Sequence, residues 1–286
     1  MSIQKSLLAV LLGAIGTAAI AAEPVKLYAA GSLTGALTAV IRQYQADTGV
    51  VVEPVFGPAG LLRERIEQGA VADVFISADM DSPQRLFSLG KAAAPLVFVR
   101  NGVCATVRAD LKATPANLLA KLLDPAVKLG TSTPKADPGG DYAWKLFAKA
   151  EQVQPGARAI LEAKARQLVG GPASPPVPAG KNAVKYYFET GQVDIFLGYC
   201  SSRLPSAQRL PDPASDQVGM PPSLAIVPDY GLTVVNRAGQ QRPEASRFAL
   251  YLMTARAQRI MADYGFVPVA LASPDSSETV IHLIVK

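Results

Sequence analysis

The sequence predicts an α/β protein built as two lobes. Strand-like and helix-like runs alternate from residue 25 onward, which is the pattern of a parallel sheet covered by helices. The rhythm breaks at Arg100-Asn101-Gly102, where two strand-like runs follow one another directly. The length, 286 residues, suits one large domain or two lobes of common size.

Val25-Lys26-Leu27-Tyr28-Ala29 is a short apolar strand stopped by Gly31. Leu33, Leu37, Val40, Ile41 and Tyr44 then recur at helical spacing. Val50 to Phe56 reads as a second strand, broken by Gly57-Pro58, and Leu61 to Gln68 as a short helix with Gly69 just past its end. Asp73 to Ser77 is a third strand, and Pro83 opens a helix ending near Gly90. Leu96 to Val99 and Val103 to Val107 flank the crossing. Beyond it Ala116 to Leu123 is helical, Val127 to Gly130 is a strand, and Thr131-Ser132-Thr133-Pro134 is a polar loop. Asp141 to Ala150 and Ala157 to Leu168 read as helices, and 170–180 (GGPASPPVPAG) as an irregular loop. Asn182 to Glu189 is helical, and Asp194 to Gly198 is a strand ending at Tyr199. Pro205 to Pro222 is a Pro-rich link. Leu224 to Val227 and Leu232 to Val235 read as strands, and Glu244 to Ala255 and Ala257 to Tyr264 as helices that complete the first lobe. From Ser273 the only organised feature is the apolar end Val280 to Val285. The expected division is 23–100 with 205–286 in the first lobe and 101–204 in the second.

Residues 1–22 stand apart from this fold. Lys5 precedes an apolar run, Leu7 to Ile20, too short to span a bilayer comfortably, and Ala19-Ile20-Ala21 offers a small-residue cleavage site. This reads as a secretory signal peptide and implies a periplasmic protein. No Cys follows the cleavage site, which argues against a lipoprotein. Loss of Lys5 takes the formal charge from +5 to about +4. Arg63, Arg65, Arg85, Arg100, Arg108, Lys145, Arg237 and Arg242 are scattered, with no basic stripe and interleaved aromatics, so nucleic acid is not an expected partner. A mild positive field suits anionic ligands.

The single His, His282, argues against His-dependent catalysis and His-rich metal sites. Two Cys exclude a zinc ribbon or a cysteine-rich scaffold. In an oxidising compartment Cys104 and Cys200 are candidates for a disulfide, with two buried thiols as the alternative.

Several strands end in small or hydroxyl residues just before a helix: Gly31-Ser32, Gly57-Pro58-Ala59-Gly60, Ser77-Ala78 and Thr131-Ser132-Thr133. In an open α/β sheet such strand ends line the ligand crevice. Helix N-termini there offer free N–H donors and partial positive charge, which bind anions without a charged side chain. Two lobes of this kind make a hinged clamp around a small anion.

VKLYAAGSL (25–33), FGPAGLLRERIEQGAVADVFISAD (56–79) and DYGFVPV (263–269) together resemble the periplasmic molybdate-binding proteins of ABC importers. The resemblance spans nearly all of the chain after residue 22. It implies a two-lobed type II periplasmic-binding-protein fold with two crossover strands, no cofactor, a permease and ATPase as partners, and a monomeric, non-enzymatic binder. It also implies the oxyanion shell: the hydroxyl of Ser32, the N–H groups of Ala59 and Ala78, a backbone donor at Lys181 or Asn182, with spacing favouring Lys181, and the hydroxyl of Tyr199. Metal enters only as the oxyanion. Molybdate or tungstate is the expected ligand; sulfate, thiosulfate or another oxyanion of the same fold is the alternative.

Departures from the family pattern are local. Ala59 stands where a serine usually supplies a hydroxyl, leaving only its N–H. Lys181 replaces a small apolar residue and is expected to face water, as lysines mostly do. The segments 130–140 and 170–180 also differ. Molybdate is fully ionised at neutral pH and only accepts hydrogen bonds, so a pocket of pure donors accepts it and rejects protonated phosphate.

Two rival classes fit the sequence less well. Ser132-Thr133-Pro134-Lys135 fits the S-x-x-K motif of penicillin-recognising serine enzymes, which needs a helix carrying both residues on one face. Pro134 and the following Asp137-Pro138-Gly139-Gly140 argue for a loop, and neither S-D-N nor K-T-G occurs. Cys200 as a nucleophile has only His282 as a basic partner. A sensory module would carry a transmembrane or signalling segment, and a free-standing binder is the expectation instead.

Overall fold

The computed structural model describes residues 23–201, 204–208, 212–237 and 239–269. The expected signal peptide, the tail from Ser273 and His282 lie outside them. Among the described residues the strands form one six-stranded and one five-stranded sheet.

In the first lobe β1 (Val25–Ala30), β2 (Val52–Gly57) and β3 (Val74–Ser77) are parallel, with β1 in the middle. Helices α1 (Thr34–Thr48), α2 (Ala59–Glu67) and α3 (Asp81–Ser88) connect and cover them. Val25, Leu27 and Ala29 are fully buried, and so is all of β3 apart from traces, as expected of strands covered on both faces. β4 (Leu96–Arg100), β10 (Asp229–Val234) and β11 (Val267–Pro268) extend the sheet antiparallel, giving the order β11-β4-β10-β3-β1-β2. The helices α8 (Pro243–Leu252) and α9 (Ala255–Asp263) close this lobe by packing Phe248, Leu252 and Met261 into its core. Arg242, just before α8, donates to the buried Asp73 carboxylate at 2.9 Å and to the Glu23 and Pro24 carbonyls.

The second lobe contains β5 (Val103–Arg108), α4 (Leu118–Leu123), β6 (Leu129–Ser132), α5 (Pro138–Val153), α6 (Ala157–Lys164), β7 (Arg166–Val169), α7 (Ala183–Glu189), β8 (Ile195–Tyr199) and β9 (Ser215–Gly219), in the sheet order β7-β6-β8-β5-β9. β6 is parallel to β7 and β8, while β5 is antiparallel to β8 and β9. Its core is separate from that of the first lobe, and Tyr199 packs against both.

The chain crosses between the lobes twice. Asn101-Gly102 joins β4 to β5, and 220–228 returns from β9 to β10. The crossings run side by side, with Asn101 N–H donating to the Pro228 carbonyl at 3.0 Å and Val103 N–H to that of Ile226 at 3.3 Å. Asn101 is fully buried and pins this junction: its amide donates to Ser201 and Tyr230, and its carbonyl accepts from the N–H groups of Gly102 and Ser201.

Several expectations need correction. The return to the first lobe does not come at 205, because Ser215–Gly219 forms β9 on the edge of the second sheet and Val218, Met220 and Leu224 belong to the second core. Leu224 to Val227 is crossing chain, not strand. The helix expected over 157–168 ends at Lys164, and β7 follows. Asp137-Pro138-Gly139-Gly140 is no loop but the start of α5: Asp137 accepts the Gly139 N–H at 2.9 Å, and Pro138 takes the first helical position, where it needs no donor. Thr131 and Ser132 finish β6.

Candidate functional site

The carboxyl ends of β1, β2 and β3 lie together because β1 is paired in register with both neighbours, Ala30 opposite Gly57 and Ala29 opposite Ile76. Ser32 sits in the 3-10 turn that follows β1. Ala59 is the first residue of α2 and Ala78 follows β3, each 1% exposed. No side chain caps the N-terminus of α2. Its Gly60 N–H instead donates to the Ala136 carbonyl of the second lobe at 3.1 Å. Only glycine fits there, since a β-carbon would collide with the Lys135 carbonyl and stand 2.8 Å from that of Ala136.

Three tyrosines connect the two walls of the cleft. The ring of Tyr199, at the end of β8, stands 5.7 Å from that of Tyr230 and 6.4 Å from that of Tyr142, both edge-on. Tyr142 donates to the Ala78 carbonyl at 3.0 Å, and the Tyr230 hydroxyl lies 3.0 Å from Ser32 Oγ. Contacts therefore run Ser32–Tyr230–Tyr199–Tyr142–Ala78 across the lobes. Tyr230 also accepts from the Asn101 amide at 3.1 Å. A Tyr230 hydroxyl that accepts from Asn101 and donates to Ser32 leaves the Ser32 proton for a third group.

The Tyr199 hydroxyl is buried and has no hydrogen-bond partner; it nears that of Tyr230 without the geometry of a bond. The Thr131 hydroxyl is likewise buried and unpartnered. Leu129 pairs with Ile195, so by strand alternation Thr131 shares the sheet face of Leu197 and Tyr199. Burial raises the Tyr199 phenol well above its usual range, and does the same for Tyr142 and Tyr230. All three are neutral donors at physiological pH. A buried donor without an acceptor costs free energy, so Tyr199 is placed to receive one from outside the chain.

The charge of Asp137, the N-cap of α5, acts on Tyr199 and Tyr230. Burial, followed by the charges of Asp141 and Asp79, pushes its carboxyl up to about 6. Asp79 is raised too, by burial, although Ser77 and Ser82 donate to it.

Lys181 is not part of these contacts. Its side chain is exposed and its N–H donates to the Pro178 carbonyl at 3.1 Å, so the expected backbone donor is committed to its own loop. Asn182 caps α7 by accepting the Lys185 N–H at 3.0 Å. Ser132 lies on β6 and Lys135 in an exposed turn with φ of 68°, so the pair does not share a helix face as the serine-enzyme motif demands. Cys104 and Cys200 are joined as a disulfide with Cα atoms 5.0 Å apart, across β5 and the end of β8, next to Tyr199. Gly102 makes room for it, since a β-carbon there would stand 2.7 Å from Cys200 Sγ.

Sequence reasoning missed Asn101, Asp137, Tyr142 and Tyr230. The Asp137-Pro138-Gly139-Gly140 run followed by Asp141-Tyr142 carried a legible signal, a capped helix start with Pro at its first position. Tyr230 carried none, because its role depends on the crossing that brings it to Ser32. Among the described residues no group of three or more His, Cys, Asp or Glu side chains is arranged to hold a metal ion, and no helix is long and apolar enough to cross a membrane.

A family model described as bacterial extracellular solute-binding protein matches residues 25–267. An uncharacterised protein from Pasteurella multocida is 40% identical over 182 residues, 62% of this chain and 74% of its own length. A molybdate-binding protein from Mycobacterium tuberculosis is 27% identical over 256 residues, 86% of this chain and 85% of its own. Among solved structures, the sulfate-binding protein of Mycobacterium tuberculosis superposes with a TM-score of 0.70 at 19% identity, covering 91% of each chain.

Proposed function

Because the chain belongs to the bacterial extracellular solute-binding proteins, we propose that it captures a small tetrahedral oxyanion in the cleft between its lobes and presents it to an ABC importer in the periplasm. The observation that carries this reading is the buried, unpartnered hydroxyl of Tyr199, whose ring stands between Tyr142 of the second lobe and Tyr230 of the first. Ser32, Ala59 and Ala78 supply the first-lobe wall and Tyr199 the second; Lys181 is left out because its N–H is already used. Binding requires no covalent step and no cofactor.

Molybdate or tungstate is the first choice, supported by the molybdate-binding relative and by a shell of uncharged donors. Such donors suit an ion that only accepts hydrogen bonds. Sulfate is the second reading, favoured by the superposition on the sulfate-binding protein. The two metal oxyanions are nearly the same size, so one pocket separates them poorly, whereas the smaller sulfate needs its donors closer in.

The test is calorimetry of ligand-stripped protein with molybdate, tungstate, sulfate, thiosulfate and phosphate. Heat with molybdate and tungstate at similar affinity is the expected result. Heat with sulfur oxyanions alone would move the ligand to the second reading. Silence across the panel would end the oxyanion reading.

A further inference from the structure

Resting on that oxyanion reading, we infer that Asn101, in the crossing between the lobes, fixes the direction of a hydroxyl relay through Tyr230, so that Ser32 keeps its own proton free to donate to the bound anion. The direction follows from the hydrogen bonds of Asn101. Its Oδ1 accepts two backbone N–H groups, Gly102 at 2.9 Å and Ser201 at 3.2 Å. An amide nitrogen cannot take that place, because it would face two donors. The NH2 group therefore points the other way, to Ser201 Oγ at 2.8 Å and to the Tyr230 hydroxyl at 3.1 Å. Both lone pairs and both amide protons are used, so the side chain is saturated. Asn101 is also fully buried, and its own N–H is bonded to the Pro228 carbonyl, so the amide is held in this orientation.

Tyr230 carries the direction onward. Its hydroxyl has a single proton, and the Asn101 NH2 already points at its oxygen. Ser32 Oγ lies 3.0 Å away on the other side of the relay, while the Tyr199 hydroxyl stands near without the geometry of a bond. Tyr230 therefore donates to Ser32. Among the described residues Ser32 Oγ bonds no other group, and Ser32 is only partly buried in the turn at the carboxyl end of β1. It is left with its proton and one lone pair. With the relay reversed it would be left with two lone pairs and no proton, facing an anion that only accepts hydrogen bonds. That arrangement suits an anion with a proton of its own, as hydrogen phosphate has. Asn101 itself does not reach the anion; it acts through Tyr230 as a positioning residue and sets which kind of anion oxygen Ser32 can meet.

Asn101→Asp reverses the relay. A carboxylate still accepts the Gly102 and Ser201 N–H groups but has no NH2, so Tyr230 donates to it and Ser32 donates to Tyr230. Its added charge weakens every dianion, and the test separates charge from direction. Calorimetry at about pH 8.5, where sulfate and hydrogen phosphate carry the same charge and differ by one proton, compares molybdate, sulfate and phosphate. The proteins are wild type, Asn101→Asp, Tyr230→Phe and the double variant. In Asn101→Asp, affinity for molybdate and sulfate falls relative to phosphate by about ten- to a hundredfold, the range for losing one hydrogen bond to a charged group. Adding Tyr230→Phe releases the Ser32 proton and restores at least about tenfold in molybdate or sulfate affinity while the charge stays. Made in wild type, the same substitution gives no gain. A second readout needs no variant: a neutron structure of the wild-type molybdate or sulfate complex places the Tyr230 hydrogen on the line to Ser32 Oγ and the Ser32 hydrogen on the line to an anion oxygen. A Ser32 hydrogen on the line to Tyr230, or a loss in Asn101→Asp that is equal for the three anions or is not relieved by Tyr230→Phe, overturns this inference and leaves the oxyanion reading standing. Binding of none of the three by wild type overturns both.

Discussion

The phenol of Tyr142 on α5 donates a 3.0 Å hydrogen bond to the carbonyl of Ala78 at the end of β3, fastening one lobe to the other beside the cleft. With the Gly60 N–H bonded to the Ala136 carbonyl, it holds the closed arrangement. Removing the phenol in Tyr142→Phe costs that arrangement about 1 kcal/mol, the net worth of an ordinary hydrogen bond. Calorimetry should show anion affinity reduced about fivefold. An unchanged affinity would mean that closure does not depend on this bond.

Gly60→Ala tests closure by sterics. The new β-carbon meets the Lys135 and Ala136 carbonyls only when the lobes are together. Affinity should fall at least about fivefold, since overpacking costs about 1–3 kcal/mol. The ligand-free melting temperature should hold or rise, because alanine is the better helix residue by about 1 kcal/mol.

The Cys104–Cys200 bond closes a separation of 96 residues. Chain-entropy reasoning for such a loop gives about 4–5 kcal/mol, and loss of native disulfides commonly costs about 2–5 kcal/mol. Reduction, or replacement of both residues by serine, should lower the melting temperature accordingly. The denatured chain should take up alkylating reagent only after reduction.

Asp137 makes stability depend on pH. Its folded carboxyl sits at about 6, above its usual 3.8, so the native state holds the proton more tightly than the unfolded chain. Stability is therefore lost as pH rises from about 4 to 6 and stays lost above. Asp137→Asn should be more stable than wild type at pH 8, by about 1–3 kcal/mol, and should lose that advantage near pH 4. Denaturant melts at the two pH values check both signs.

Central strands were legible because burial on both faces gives continuous apolar runs, as in Val25 to Ala29 and Asp73 to Ser77. Edge strands were not. Ser215–Gly219 buries only Val218, and Arg166–Val169 follows a helix without a break in apolar spacing, so neither advertises itself. The site divides in the same way. Ser32, Ala59, Ala78 and Tyr199 lie at strand ends or a helix start, positions that local pattern reveals. Tyr230 and Asn101 matter through contacts with Ser32 and Ser201 at separations of 198 and 100 residues, which no local pattern encodes. The Lys181 N–H belongs to the turn closed by Pro178, a product of the irregular segment before it, and no local pattern shows that bond.

The unpartnered phenol of Tyr199 gives the sharpest test, because its two consequences have opposite signs. In Tyr199→Phe the ligand-free protein loses a buried, unsatisfied hydroxyl, so its melting temperature should hold or rise. The same change should weaken binding of the anion by about 1.5–3 kcal/mol, roughly ten- to a hundredfold, the range for a hydrogen bond to a charged group. Paired melting and calorimetric titration of this variant with molybdate and sulfate measure both. An affinity equal to that of wild type would contradict the account.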